Sequence, residues 1–133
     1  MFKAYDSGRL ATMPLKGSQR AAGYDFFLME DTIIRTGVVT SIHTNICVNL
    51  PPGYYGQLLC KSRLAGLGIV ILGGVIDNDY TGEIVILATA LMEPRSFKAH
   101  AKIAQIVLIP YFTGDDSTSG HERGAGGFGS TGQ

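Results

Sequence analysis

Short apolar runs alternate with glycine and proline along most of the chain, and that punctuation predicts strands rather than helices. Breakers recur from Pro14 and Gly23 through Pro51-Pro52-Gly53 and Gly73-Gly74 to Pro94 and Pro110. Between them TNICVNL (44–50) alternates, placing Ile46, Val48 and Leu50 on one face and Asn45 and Asn49 on the other. IVILGGVI (69–76) and EIVILATALM (83–92) are apolar on both faces, the pattern of fully buried strands. KIAQIVLIPYF (102–112) is a further strand, stopped by Pro110. NDYTG, between two such runs, has the composition of a hairpin connection. SRLAGLG (62–68) is the one stretch suited to a helical turn, and Gly66 and Gly68 limit its length. Even spacing of short strands predicts an all-β sandwich or barrel.

Past Phe112 the character changes. TGDDSTSGHERGAGGFGSTGQ has no apolar period, so residues 1–112 read as a β-barrel domain and 113–133 as a flexible C-terminal arm. Several strands are apolar on two faces, yet a barrel has one interior. Contact between subunits is the simplest cover for the remaining faces and predicts an oligomer.

Composition narrows the classes. A chain of 133 residues, 45% apolar, is long enough to bury one core unaided. Eleven basic and eleven acidic residues balance, which argues against the clustered basic face that nucleic acid requires. Cys47 and Cys60 sit inside apolar stretches and read as buried thiols. His43 lies four residues before Cys47, too far along a strand for joint chelation, and no CxxC or HxxxH spacing points to zinc. The start MFKAYDSGRLATMP lacks the apolar core of a signal peptide, and no apolar run reaches membrane-spanning length. The expected location is intracellular, cytoplasmic or nuclear, with no membrane partner.

The chemistry lies where polar residues interrupt the strands. AAGYDF carries Asp25, LLCKSRLAG carries Lys61, Ser62 and Arg63, GGVIDNDYTGE carries Asp77, Asp79 and Tyr80, and KIAQ carries Gln105. The arm adds Arg123, Phe128, Ser130 and Thr131. Each alone also fits an ordinary role: turn carboxylates, solvated loop cations, a core amide, a surface aromatic. Together they form a set suited to a nucleoside triphosphate. Lys61 and Arg123 are cations, hydroxyls donate to phosphate oxygens, and glycine-rich backbone can present N–H groups to anions. Asp77 and Asp25 can orient water or the hydration shell of Mg²⁺. Tyr80 and Phe128 offer flat faces to a sugar and a base. No Walker-type loop is present.

On these motifs the sequence resembles the trimeric dUTPases (deoxyuridine triphosphate nucleotidohydrolases) over nearly its whole length. Five stretches match in order: AAGYDF, KSRLAGLG, GGVIDNDYTGE, KIAQ and RGAGGFGSTG. The resemblance implies a jelly-roll-like β-barrel in a homotrimer with shared active sites, and hydrolysis of dUTP to dUMP and pyrophosphate with Mg²⁺. It implies that Gly74, Val75 and Ile76 read the uracil edge through their backbone and that Tyr80 packs on deoxyribose, leaving no room for a 2′-OH. Asp77 would activate the water that attacks the α-phosphorus. Lys61, Ser62 and Gln105 would grip the phosphates, with Asp25 supporting the Mg²⁺ through water. Arg123 would reach the γ-phosphate and Phe128 would lie over uracil, with Gly129 beside it and Ser130 and Thr131 as further phosphate donors.

Two features depart from the family pattern. Lysine stands at 61 where arginine is usual, and Arg63 stands where a small residue is usual, so Arg63 is an added candidate for phosphate contact. Two rival readings share the fold. A dCTP deaminase needs a buried glutamate beside the base, and Glu30, Glu83, Glu93 and Glu122 lack an evident pocket context. A regulatory binding module would keep the nucleotide site without the reaction.

Overall fold

The computed structural model describes residues 1–114, so the candidates Arg123, Phe128, Gly129, Ser130 and Thr131 lie outside the described residues. Twelve strands and one five-residue helix make up the described chain, in the order β1 (Phe2–Ala4), β2 (Leu15–Lys16), β3 (Gly23–Phe27), β4 (Thr32–Ile34), β5 (Thr40–His43), β6 (Ile46–Val48), β7 (Tyr54–Cys60), α1 (Ser62–Gly66), β8 (Ile69–Leu72), β9 (Val75–Ile76), β10 (Val85–Ala90), β11 (Arg95–Phe97) and β12 (Lys102–Pro110). The class is all-β, as expected. Hydrogen bonding divides the strands into a five-stranded sheet, β2-β3-β12-β7-β9, a three-stranded sheet, β5-β10-β8, and two pairs, β1-β6 and β4-β11. Among the described residues no sheet closes on itself.

The long strand β12 forms the spine of the larger sheet. Its apolar residues Ile103, Ala104 and Ile106 are buried, and the two β-branched isoleucines suit a pleated surface covered by a second layer. They pack with Phe26 and Leu28 of the β3 segment and with Ile84 and Ile86 of the β10 segment. Each such Ile, Leu or Phe removed from water stabilises the fold by about 1.5–3 kcal/mol before entropy is counted. The core therefore lies between the five-stranded and three-stranded sheets.

Four readings of the pattern are corrected. The run 69–76 is two strands in different sheets, because Gly73 (φ +63°) and Gly74 (φ +105°) turn the backbone where an L side chain is strained. The flanking apolar runs do pair antiparallel, but through 69–72 and 87–90, while β9 leaves that pair to join β7. NDYTG thus connects two sheets and is no two-strand hairpin turn. Asn45, expected on a polar face, is buried at φ +53°: its side chain takes the Asp6 N–H and donates to the carbonyls of Asp6, Arg9 and Leu10, holding the N-terminal segment down. Nor are β8 and β10 buried on both faces in the single chain, since β10 alternates buried and half-buried positions.

Candidate functional site

The sequence-derived candidates fall into two groups on the five-stranded sheet. Asp25 on β3 stands opposite Gln105 on β12, which stands opposite Leu59 on β7, and β7 delivers Lys61 two residues later. Lys61 Nζ donates to Asp25 Oδ1 at 2.6 Å, and Lys102 Nζ lies 3.8 Å from Oδ2. Asp25 is only 3% exposed, so its charge is desolvated and depends on these two ammonium groups. Gln105 is half-buried and its side chain lies over Gly23, where an added Cβ would sit 2.5 Å from Gln105 Oε1. Gly23 is a notch that the amide fills. Beyond Lys61, Ser62 and Arg63 are exposed on α1, and among the described residues Arg63 makes no hydrogen bond or ion pair.

The second group surrounds a cavity of about 140 Å³. Its lining includes the apolar side chains of Leu58, Leu72 and Leu87 together with Gly73 to Asp77 and Tyr80. The Gly74 carbonyl accepts the Leu58 N–H at 2.7 Å, while a Cβ on Gly74 would approach the Leu58 carbonyl oxygen to 2.8 Å. Glycine at 74 is thus required twice, by backbone sign and by space. The turn after β9 is held by Tyr80 N–H donating to the Asp77 carbonyl at 3.0 Å. It is also held by Asn78, whose amide donates to the carbonyls of Pro51 and Tyr54 at 2.9 and 2.8 Å. Sequence reasoning missed Asn78. Its signal is an amide within a turn of carboxylates, where a donor can tie two turns together. Leu58 lies three residues before Lys61, so the two groups are roughly 10 Å apart along β7.

A larger cleft of about 640 Å³ lies elsewhere, beside Arg9, Glu30, Asp31, His43, Asn45 and Glu83. Two of the glutamates therefore have a pocket context after all. Glu83 is nevertheless committed on both oxygens, to His43 Nδ1 at 3.0 Å and to the Asn45 N–H at 2.9 Å. Bonding from the Ala99 N–H, with Lys98 adding to it, holds the Asp31 carboxyl below the usual carboxylate range. None of the described glutamates lines the smaller cavity. Size favours the cleft, but the smaller cavity has the positive-φ backbone of Gly73 and Gly74 and the motif residues Asp77 and Tyr80, which makes it the candidate site.

Cys60, next to Lys61, donates its thiol to the Ile69 carbonyl at 3.6 Å. Burial pushes that thiol up, and the Lys61 backbone N–H offsets this only in part. Among the described residues no three His, Cys, Asp or Glu side chains gather into a metal site. Both Asp25 oxygens face lysine ammonium groups, so this carboxylate is not arranged as a direct metal ligand.

Comparison with known proteins gives one consistent result. The dUTPase family model matches residues 9–132. The deoxyuridine 5'-triphosphate nucleotidohydrolase of Paramecium bursaria Chlorella virus 1 is 39% identical over 128 residues, covering 92% of this chain and 91% of the viral protein. The Saccharomyces cerevisiae protein of the same name is 39% identical over 129 residues, covering 92% and 88%. Among solved structures, the native EIAV dUTPase superposes with a TM-score of 0.76 at 24% identity, covering 92% of this chain and 97% of that one. A mutant dUTPase from phage phi11 of S. aureus superposes at 0.74 with 22% identity, covering 86% and 92%, and is described as coordinating a structural Mg(II) ion. No helix among the described residues is long and apolar enough to cross a membrane. The family match over nearly the whole chain, joined to an all-β fold shared with solved dUTPases, makes this chain a member of the dUTPase family.

Proposed function

We propose that the protein is a dUTP diphosphatase, hydrolysing dUTP to dUMP and pyrophosphate. The observation that carries this reading is the division of the motif residues into a cationic group around Lys61 and a backbone-lined cavity beside Asp77. A nucleoside triphosphate has the matching division, an anionic chain at one end and a flat, edge-patterned base at the other.

In this reading backbone groups of Gly74, Val75 and Ile76, which line the cavity, pair with the uracil edge. Cytosine reverses the donor pattern and leaves buried groups unpaired, a mismatch that costs about 10⁴ or more in discrimination. Tyr80 packs against the sugar and excludes a 2′-hydroxyl. Lys61, Ser62, Arg63 and Gln105 hold phosphate oxygens, joined by Arg123, Ser130 and Thr131 of the arm, residues 113–133, while Phe128 and Gly129 cover the base. Asp77 orients a water and accepts its proton as the water oxygen bonds to the α-phosphorus. The α-phosphorus–oxygen bond to the β-phosphate then breaks, and pyrophosphate leaves.

Mg²⁺ bound to the phosphates would neutralise part of their charge. The arrangement of Asp25 suits it to positioning Lys61 rather than to holding the ion, and we assign no step to the metal. We further propose that barrel-like protomers assemble as a trimer with shared sites, in the cytoplasm or nucleus. Large apolar side chains exposed on the single chain support association: Val38, Val39, Leu91 and Met92 at one end, and Leu59 and Val75 on β7 and β9.

Incubation with dUTP and Mg²⁺, with pyrophosphate and ammonia both measured, tests the reading. Pyrophosphate with no ammonia is expected, from a species of trimer mass. Ammonia from dCTP would indicate a deaminase, and a folded protein giving neither product would indicate a binding module.

A further inference from the structure

Gly82 is buried and its backbone lies outside the left-handed region, so the conformation there does not call for glycine. Space does. A Cβ at this position would meet the ring of Tyr80, at 2.6 Å from its hydroxyl oxygen, 2.8 Å from Cζ and 3.1 Å from Cε1. The ring is folded back over the bare Gly82 backbone, and its hydroxyl donates to the Glu83 carbonyl at 2.7 Å.

That carbonyl belongs to a pinned stretch of chain. Glu83 accepts the Asn45 N–H through Oε2 at 2.9 Å, the Ile84 N–H donates to the Ile46 carbonyl at 2.8 Å, and the Ile84 carbonyl accepts the Thr44 hydroxyl at 2.6 Å. Ile84 itself is fully buried. A methyl group introduced at 82 therefore cannot be absorbed by the backbone behind it. Tyr80 lines the cavity of about 140 Å³ and Gly82 does not, so the side chain, rather than the pinned backbone, is the part that moves. Retreat from 2.6 Å to the 3.4 Å of ordinary contact is a shift of about 0.8 Å.

We propose that Gly82 is a positioning residue for sugar selectivity: it admits the folded-back ring of Tyr80, which the Glu83 carbonyl then latches in place. This inference rests on the proposed role of Tyr80 as the sugar wall. Displacement by about 1 Å near a reacting centre is enough to cost on the order of 10²-fold. A ring pushed into the cavity crowds deoxyribose and no longer presents one fixed wall to a 2′-hydroxyl.

The test is the ratio of kcat/KM for dUTP over UTP, measured on the assembled full chain. Gly82→Ala should lower that ratio about tenfold or more, chiefly through a higher KM for dUTP, with the thermal midpoint recorded alongside. In a Tyr80→Ala background the same change should alter the ratio by less than about twofold, because Gly82 acts only through the ring. Tyr80→Phe removes the latch without adding volume and should also lower the ratio, which keeps the idea testable if Gly82→Ala does not fold. An unchanged ratio in either single variant overturns the proposal, as does an equal loss in the Tyr80→Ala background. If dUTP is turned over but Tyr80→Ala itself leaves the ratio unchanged, the sugar-wall role fails and the proposal falls with it. Absence of any dUTP turnover in the parent protein fails the functional reading instead.

Discussion

The two ends of the candidate site are built by opposite means. Around Asp25 the structure uses charged side chains, one buried carboxylate and two lysines, held in register by adjacent strands. Around Gly74 and Gly82 it uses the absence of side chains, so that backbone and one aromatic ring come into contact distance. The charged end is adjustable at the side-chain level and vulnerable to loss of a partner. The backbone end is rigid, and it is vulnerable to the addition of a single methyl group. A substrate with a flexible anionic tail and a rigid base calls for that division.

The largest effect is expected where the two ends meet the reacting bond. Asp77→Asn keeps the shape of the turn and removes the charge, so turnover should fall by about 10²–10⁴ while binding of a non-hydrolysable dUTP analogue stays near normal. Single-turnover kinetics and calorimetry check the two halves. Near-normal turnover would remove Asp77 from the mechanism and with it the link between the two ends.

Next comes the charged end. Lys61→Met leaves Asp25 buried with only the more distant Lys102, and breaking such a pair costs about 3–5 kcal/mol. Chemical denaturation should place the loss at the lower side of that range, since Lys102 remains within 3.8 Å. Pairing it with Asp25→Asn should restore most of the stability and none of the turnover. Recovery of turnover would mean that Lys61 serves the fold alone.

Legibility in the sequence follows the same division. Strand positions were readable because β-branched runs and turn residues are local signals, and α1 appears where Gly66 and Gly68 allowed one turn. The grouping of Asp25, Lys61 and Gln105 was readable only as chemistry, and strand register then brought them together. That Asp25 faces two lysines was not readable, because Lys102 is 77 positions away and its approach depends on the β3–β12 pairing. The course of residues 73–84 is not legible in the sequence because both flanking runs are equally apolar. Hydrophobic period cannot say which sheet a two-residue strand will join. The roles of Gly23 and Gly82 as spaces for Gln105 and Tyr80 were invisible, since a glycine in sequence does not say what lies above it.

At the backbone end, Gly74→Ala should cost about 1–3 kcal/mol from its positive φ alone, with further loss from crowding of the Leu58 carbonyl. The sharper expectation is kinetic. KM for dUTP should rise more than kcat falls, because the wall proposed to read the base is displaced while Asp77 keeps its carboxylate. A fall in kcat with unchanged KM would assign the Gly73 to Asp77 segment to chemistry rather than recognition.

The smallest effect separates burial from charge at the point where the two regions join. Cys60 ends β7 and precedes Lys61, and a neighbouring ammonium group would ordinarily lower a thiol's pKa and quicken its alkylation. Here burial dominates and pushes the thiol up, while Lys61 contributes only its backbone N–H and its ammonium group is bound to Asp25. A raised pKa means less thiolate at pH 8, so iodoacetamide should modify Cys60 in the native protein more slowly than free cysteine. Lys61→Arg, which keeps both the backbone N–H and a cation for Asp25, should leave that rate within about twofold. A marked acceleration in the native parent protein would mean that the Lys61 charge reaches the thiol, and that Asp25 holds it less completely than the 2.6 Å contact implies.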